Sequence, residues 1–147
     1  MVHEADKKIY IFDEFYQVGM LNSQIFQVLK KKHLLNQHMF ADSAEPKSIE
    51  ELKRLGARYL KPARKGKDSI IHGIQFLQGF TIIVNPACKS TVEEFENYGW
   101  KKIKGTNEYE NKPIDEFNHL MDALRYSVSD LIPRNSIRTI NKAVLGL

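Results

Sequence analysis

Asp42 closes the short apolar run His38–Asp42, HMFAD, and ligand sites in open α/β sheets lie off the carboxyl ends of strands. An aspartate at that position is more often the cap of a turn before the next helix. A second candidate group is helical. At about 100° per residue, Asp115, His119, Asp122 and Tyr126 stack in one narrow sector, opposite an apolar stripe of Phe117, Leu120, Met121, Leu124, Val128 and Leu131. A histidine and an aspartate three residues apart on one face reach the same metal ion or phosphate, although a solvated polar face has the same pattern. A third group is basic. Arg64, Lys65 and Lys67, with Lys61 nearby, surround Gly66 just before a helix start, where cations, flexible backbone and the helix dipole favour a phosphate.

Other reactive side chains carry less. Cys88 is the single cysteine, has only Lys89 as a basic neighbour, and reads as a structural thiol. Trp100 beside Tyr98 and Gly99 reads as a packing anchor. His3, His33, His38 and His72 show no metal-ligand spacing. One cysteine excludes an internal disulfide and a Cys-rich zinc site. No G-x-x-x-x-G-K-[ST], G-x-G-x-x-G or G-x-S-x-G occurs, which removes a P-loop and the commonest dinucleotide and serine-hydrolase motifs.

The elements that must position these groups fit one domain. The chain has 147 residues, 42% hydrophobic and 27% charged, with a net charge of +4 that favours a polyanion only mildly. No apolar run approaches the ~18 residues of a membrane span, and the start lacks a signal-peptide core, so no membrane partner is expected. Met1–Ala5 reads as the end of an antiparallel strand and Lys8–Tyr16 as a buried strand apolar on both faces. A helix follows from Asn22 to about Lys32, then His38–Asp42 as a central strand. Pro46 opens the next helix and Gly56 closes it. Ala57–Pro62 is a strand, Asp68 or Ser69 caps a helix ending at Gly79, and Phe80–Val84 is a strand. Ser90 to Glu93 form a capping box for a short helix. Lys101–Lys112 suits a surface hairpin or loop, and a last helix spans about Asp115 to Leu131. This order predicts a mixed α/β sheet flanked by helices, as a domain over 1–132 with a tail over 133–147.

Four segments, in this order, resemble the nuclease domain of tailed-phage terminase large subunits: KKIYIFDEFYQVGM, FADSAEPKSIEELKRLG, KPARKGKDSIIHGIQ and NKPIDEFNHLMDALRY. The resemblance covers roughly residues 7–126. It implies a ribonuclease-H-like fold and a metal-dependent endonuclease that cuts concatemeric viral DNA during genome packaging. It implies metal-binding, catalytic roles for Asp42, before S-A-E-P, and for Asp122 in the N-H-x-x-D-A-x-R-Y helix, with His119 as ligand, water-orienting group or acid. Two Mg²⁺ or Mn²⁺ ions held by carboxylates suit that chemistry. Lys61, Arg64, Lys65 and Lys67 are then expected to bind duplex DNA. The implied partners are double-stranded DNA, a terminase small subunit and a portal, in the cytoplasm of a bacterial host.

The pattern departs from the family at its start. The family's G-x-D-F-G-like first strand, which carries a metal-binding aspartate, is not found here, and neither is the ATPase domain. An N-terminally truncated ribonuclease-H-like domain is therefore expected, with weak activity and a sheet edge that pairs in a homodimer or rearranges. The competing expectation is a catalytically inactive DNA-binding or assembly module on the same fold. An unrelated metabolite-binding α/β protein is the remote third.

Overall fold

The computed structural model describes residues 1–66 and 68–133. Lys67 and nearly all of the expected tail, 134–147, lie outside the described residues. Among those described, strand β1 (Val2–His3) and strand β2 (Lys8–Ile11) pair antiparallel. Helix α1 (Asn22–Lys31), strand β3 (Met39–Ala41), helix α2 (Pro46–Leu55) and strand β4 (Leu60–Pro62) follow. Then come helix α3 (Ser69–Gln78), strand β5 (Thr81–Val84), helix α4 (Lys89–Asn97), the hairpin of β6 (Trp100–Lys102) and β7 (Tyr109–Pro113), and helix α5 (His119–Ser127).

The strands fall into three groups: β1-β2-β5, with β2 and β5 parallel; β3-β4, parallel; and the antiparallel β6-β7. The mixed α/β architecture is as expected, but β3 is not central. It pairs with β4, and among the described residues no strand pairs with its other edge. Each half has its own core. Ile49, Leu52, Ala57 and Leu60 pack with Ile25, Phe26 and Met39, tying α1 and α2 to β3 and β4. Ile9, Leu124 and Val128 pack with Ile82, Leu77 and Phe76, tying α3 and α5 to β2 and β5. Full burial of side chains such as Ile9 and Val128 stabilises by about 1.5–3 kcal/mol each.

Two strand expectations shrink for identifiable reasons. The Lys8–Tyr16 run forms a strand only to Ile11, because β5 ends at Val84 and the next amide due on that side after Asn85, the Ala87 N–H, turns back to Asn85 Oδ1 at 3.0 Å. Instead Asn85 donates to the carbonyls of Ile11 and Phe12, and Phe12, Phe15 and Tyr16 stay exposed. The Ser90–Glu93 capping box does not form. Helix α4 starts two residues earlier, with Cys88 rather than Ser90 at the N-cap, and its N-terminal groups go to Glu14: Ser90 N–H at 3.0 Å, Thr91 N–H at 2.8 Å and Thr91 Oγ1 at 2.7 Å. Burial opposes the charge on Glu14, but these bonds outweigh it and hold its carboxyl below the ordinary range.

Helix α5 is shorter than its apolar stripe suggests. Phe117 has a left-handed φ of 54°, which no continuing helix tolerates, and it stays exposed. Asp115 is thereby off the helix, facing Lys112 at 3.5 Å. Trp100 is 37% exposed on β6 and is not a buried anchor.

Candidate functional site

Asp42 follows the last residue of β3, where the backbone stops pairing and its side chain is released. Its Oδ1 accepts the Ala44 N–H at 2.8 Å, the turn-capping role that the sequence also allowed. The same oxygen forms an ion pair with Lys65. The Ala63 N–H donates to the Ala41 carbonyl at 2.8 Å, which brings the 63–66 loop alongside β3 and Lys65 to Asp42. The Lys65 ammonium, then Ala44 and the Tyr126 hydroxyl, pull the Asp42 carboxyl below its usual range, and Asp42 raises Lys65 in return.

Asp122 comes from the other core. Met121 and Leu124 are buried, which fixes the rotation of α5 and turns Asp122 and Tyr126 towards β3. The helix start is fixed by Glu94 of α4, whose Oε2 accepts the Leu120 N–H at 2.7 Å and the Met121 N–H at 3.1 Å. Asp122 Oδ1 takes a 2.5 Å bond from the guanidinium of Arg125, itself only 6% exposed. The Tyr126 hydroxyl lies 3.3 Å from Asp42 Oδ2 and 3.5 Å from Asp122 Oδ2. One oxygen of each carboxylate thus shares this hydroxyl, while the other faces a cation.

Asp42 and Asp122 are therefore brought together. His119 is not joined to them: it is exposed at the start of α5, with its ring 5.9 Å from that of Tyr16. Among the described residues, no three His, Cys, Asp or Glu side chains converge as a metal cluster. The donor set that does converge is two carboxylates, hard oxygens that fit Mg²⁺ or Mn²⁺ with water completing the shell.

The basic group divides. Lys65 belongs to the carboxylate pair. Arg64 is drawn to the end of α5, its Nε 2.7 Å from Asp130 Oδ1 and its guanidinium 3.1 Å from the Asp130 carbonyl. Lys61 is exposed on β4. Arg64 and Lys65 line a cleft of about 220 Å³ together with Ser69, His72, Arg125 and Tyr126, directly beside the two carboxylates. Cys88 is buried, and burial raises its thiol, in keeping with a structural role.

Sequence reasoning passed over Glu14, Glu94 and Arg125. Arg125 alone carried a usable signal: it falls three residues after Asp122, within ion-pair reach on one helix. Nothing in the sequence distinguishes Glu94 from Glu93 or Glu96, because only the packing of α4 against α5 buries it.

Residues 1–130 match the family described as terminase RNase H-like domain. The chain is 31% identical over 127 residues to the large terminase subunit of Bacillus phage SPP1, covering 82% of this chain and 29% of that protein. It is 30% identical over 133 residues to the PBSX phage terminase large subunit of Bacillus subtilis strain 168, covering 88% of this chain and 30% of that one. The chain thus spans under a third of the length of these relatives. Among solved structures, the nuclease domain of the SPP1 large terminase with bound Mn superposes with a TM-score of 0.80 at 28% identity, covering 88% of this chain and 74% of that one. The large terminase of the thermophilic bacteriophage D6E shares the fold, with a TM-score of 0.58 at 24% identity, over 76% of this chain and 29% of that one.

Proposed function

The chain belongs to the terminase RNase H-like domain family, and on that premise we propose that it is a divalent-metal-dependent endonuclease that cuts double-stranded viral DNA during packaging. The observation that carries this reading is the meeting of Asp42 and Asp122 on one hydroxyl, from two separate cores. The Mn held by the SPP1 nuclease domain supports the same metal class here.

Asp42 and Asp122 would hold the cation, Mg²⁺ or Mn²⁺, with the Tyr126 hydroxyl between them. When bound, such a cation activates water and stabilises the leaving oxygen of a phosphodiester. Arg125 orients Asp122 through its bond to Oδ1. His119, exposed beside Tyr16 and apart from the carboxylates, is proposed to orient water or to donate a proton to the substrate. Lys61, Arg64, Lys65 and Lys67 are proposed to follow the DNA backbone, Arg64 from its tether on Asp130.

The partners proposed are duplex DNA, a terminase small subunit and a portal, in the cytoplasm of a bacterial host. A second copy of this chain is the proposed neighbour for the outer edge of β3, and light scattering would read it as a dimer.

One observation favours a second reading, a DNA-binding or assembly module without catalysis: each carboxylate already carries an internal cation. Plasmid nicking in Mn²⁺ separates the two. The nuclease reading expects nicking that stops on chelation and in D42N and D122N. Intact plasmid in Mn²⁺, with duplex binding retained, would overturn it in favour of the binding module.

A further inference from the structure

The two cations on the carboxylates are not equivalent. Arg125 is almost fully buried, and its aliphatic stem lies against α3 at Gly73, where a Cβ would collide with it. Moving it off Asp122 would leave a charge stranded in the interior. Lys65 is different. Its side chain is 38% exposed, it precedes Gly66 on a loop, and its ammonium rests 5.3 Å above the Tyr126 ring. A partly exposed ion pair of this kind is weak, and the ammonium can leave for water.

We propose that Lys65 is a displaceable counter-ion: it occupies Asp42 until a hard divalent cation replaces it, and then binds a phosphate of the DNA. This rests on the metal-dependent reading above. The cation and Lys65 compete for Asp42 Oδ1, so apparent metal affinity falls with the fraction of molecules in which Lys65 is away. DNA offers the displaced ammonium another anion, so metal and DNA each favour the same state and each raises the affinity for the other. Arg125 stays in place throughout, which leaves Asp122 to present Oδ2.

The test is Mn²⁺ titration calorimetry on the full chain without DNA, comparing wild type, K65M, K65R, K61M and D42N, with thermal unfolding to establish that each is folded. K65M is expected to bind Mn²⁺ about fivefold more tightly or better, whereas K65R and K61M stay near wild type. In Ca²⁺, K65M should bind a short duplex more weakly, with a salt slope lower by about one. Unchanged or weaker Mn²⁺ binding by K65M overturns the proposal. If D42N also loses Mn²⁺ binding, only the Lys65 proposal falls; if D42N binds like wild type, or no variant binds, the metal assignment falls with it.

Discussion

Gly73 on α3 lies so close to Arg125 on α5 that a Cβ at Gly73 would overlap the Cγ and Cδ atoms of the arginine. The helices can approach this closely only because position 73 has no side chain. Gly73→Ala is therefore expected to destabilise the fold by about 1–3 kcal/mol, despite the better helix propensity of alanine. Thermal unfolding measures this. A variant as stable as wild type would show that Arg125 moves aside without cost.

The Tyr126 hydroxyl lies between Asp42 and Asp122, while its ring lies beneath Lys65. Tyr126→Phe keeps the ring and removes the shared donor. Stability should change by no more than about 1 kcal/mol, while Mn²⁺-dependent nicking should fall about 10–100-fold, as for other groups that orient metal ligands. Parallel plasmid and denaturation assays decide it; equal nicking would remove Tyr126 from the site.

Glu14 caps α4 with its pKa held below the ordinary glutamate value. A lowered folded pKa gives stability that is complete above the unfolded value, about 4.3, and is lost as pH falls through the folded value. Glu14→Gln should cost about 1 kcal/mol at pH 7. The gap to wild type should close below about pH 4. Urea unfolding at pH 7, 5 and 3 tests this, and a gap independent of pH would count against the carboxylate cap.

Lys61 and Arg64 should respond differently to charge reversal. Lys61→Glu changes an exposed strand position and is expected to weaken duplex binding and lower its salt slope without altering stability. Arg64→Glu also sets a carboxylate against Asp130, so a stability loss of up to about 1 kcal/mol should accompany the weaker binding. Salt titration of duplex affinity beside thermal unfolding separates the effects.

The carboxylates were candidates in the sequence because their signals were local. Asp42 ended an apolar run, and Asp122 and Tyr126 shared a helical sector, but a turn cap and a solvated face fitted those patterns as well. It was the family resemblance that assigned both carboxylates to one site, and the Tyr126 hydroxyl is where they meet. The short hairpin and the glycine stop of α2, where Gly56 adopts φ 130°, were legible from equally local signals. What was not legible depended on partners distant in the chain. Glu14 takes over the cap expected of Ser90, and the 12–16 run loses its strand because the chain after Asn85 turns back on itself instead of extending β5. His119 had the right spacing, but the left-handed Phe117 starts the helix late and leaves it facing Tyr16. Helical spacing ranks residues along a face without fixing where the face begins.

The separation of the two cores has a mechanical meaning. Asp42 is anchored in the core around Ile49 and Leu52, Asp122 in that around Ile9 and Val128, so the gap between the carboxylates is the width of a seam. Its stiffness depends on the contacts that cross it, chiefly Tyr126, the 63–66 loop and the packing of α5 against β3. A shift of one half against the other would therefore alter the carboxylate spacing while leaving the packing within each core unchanged.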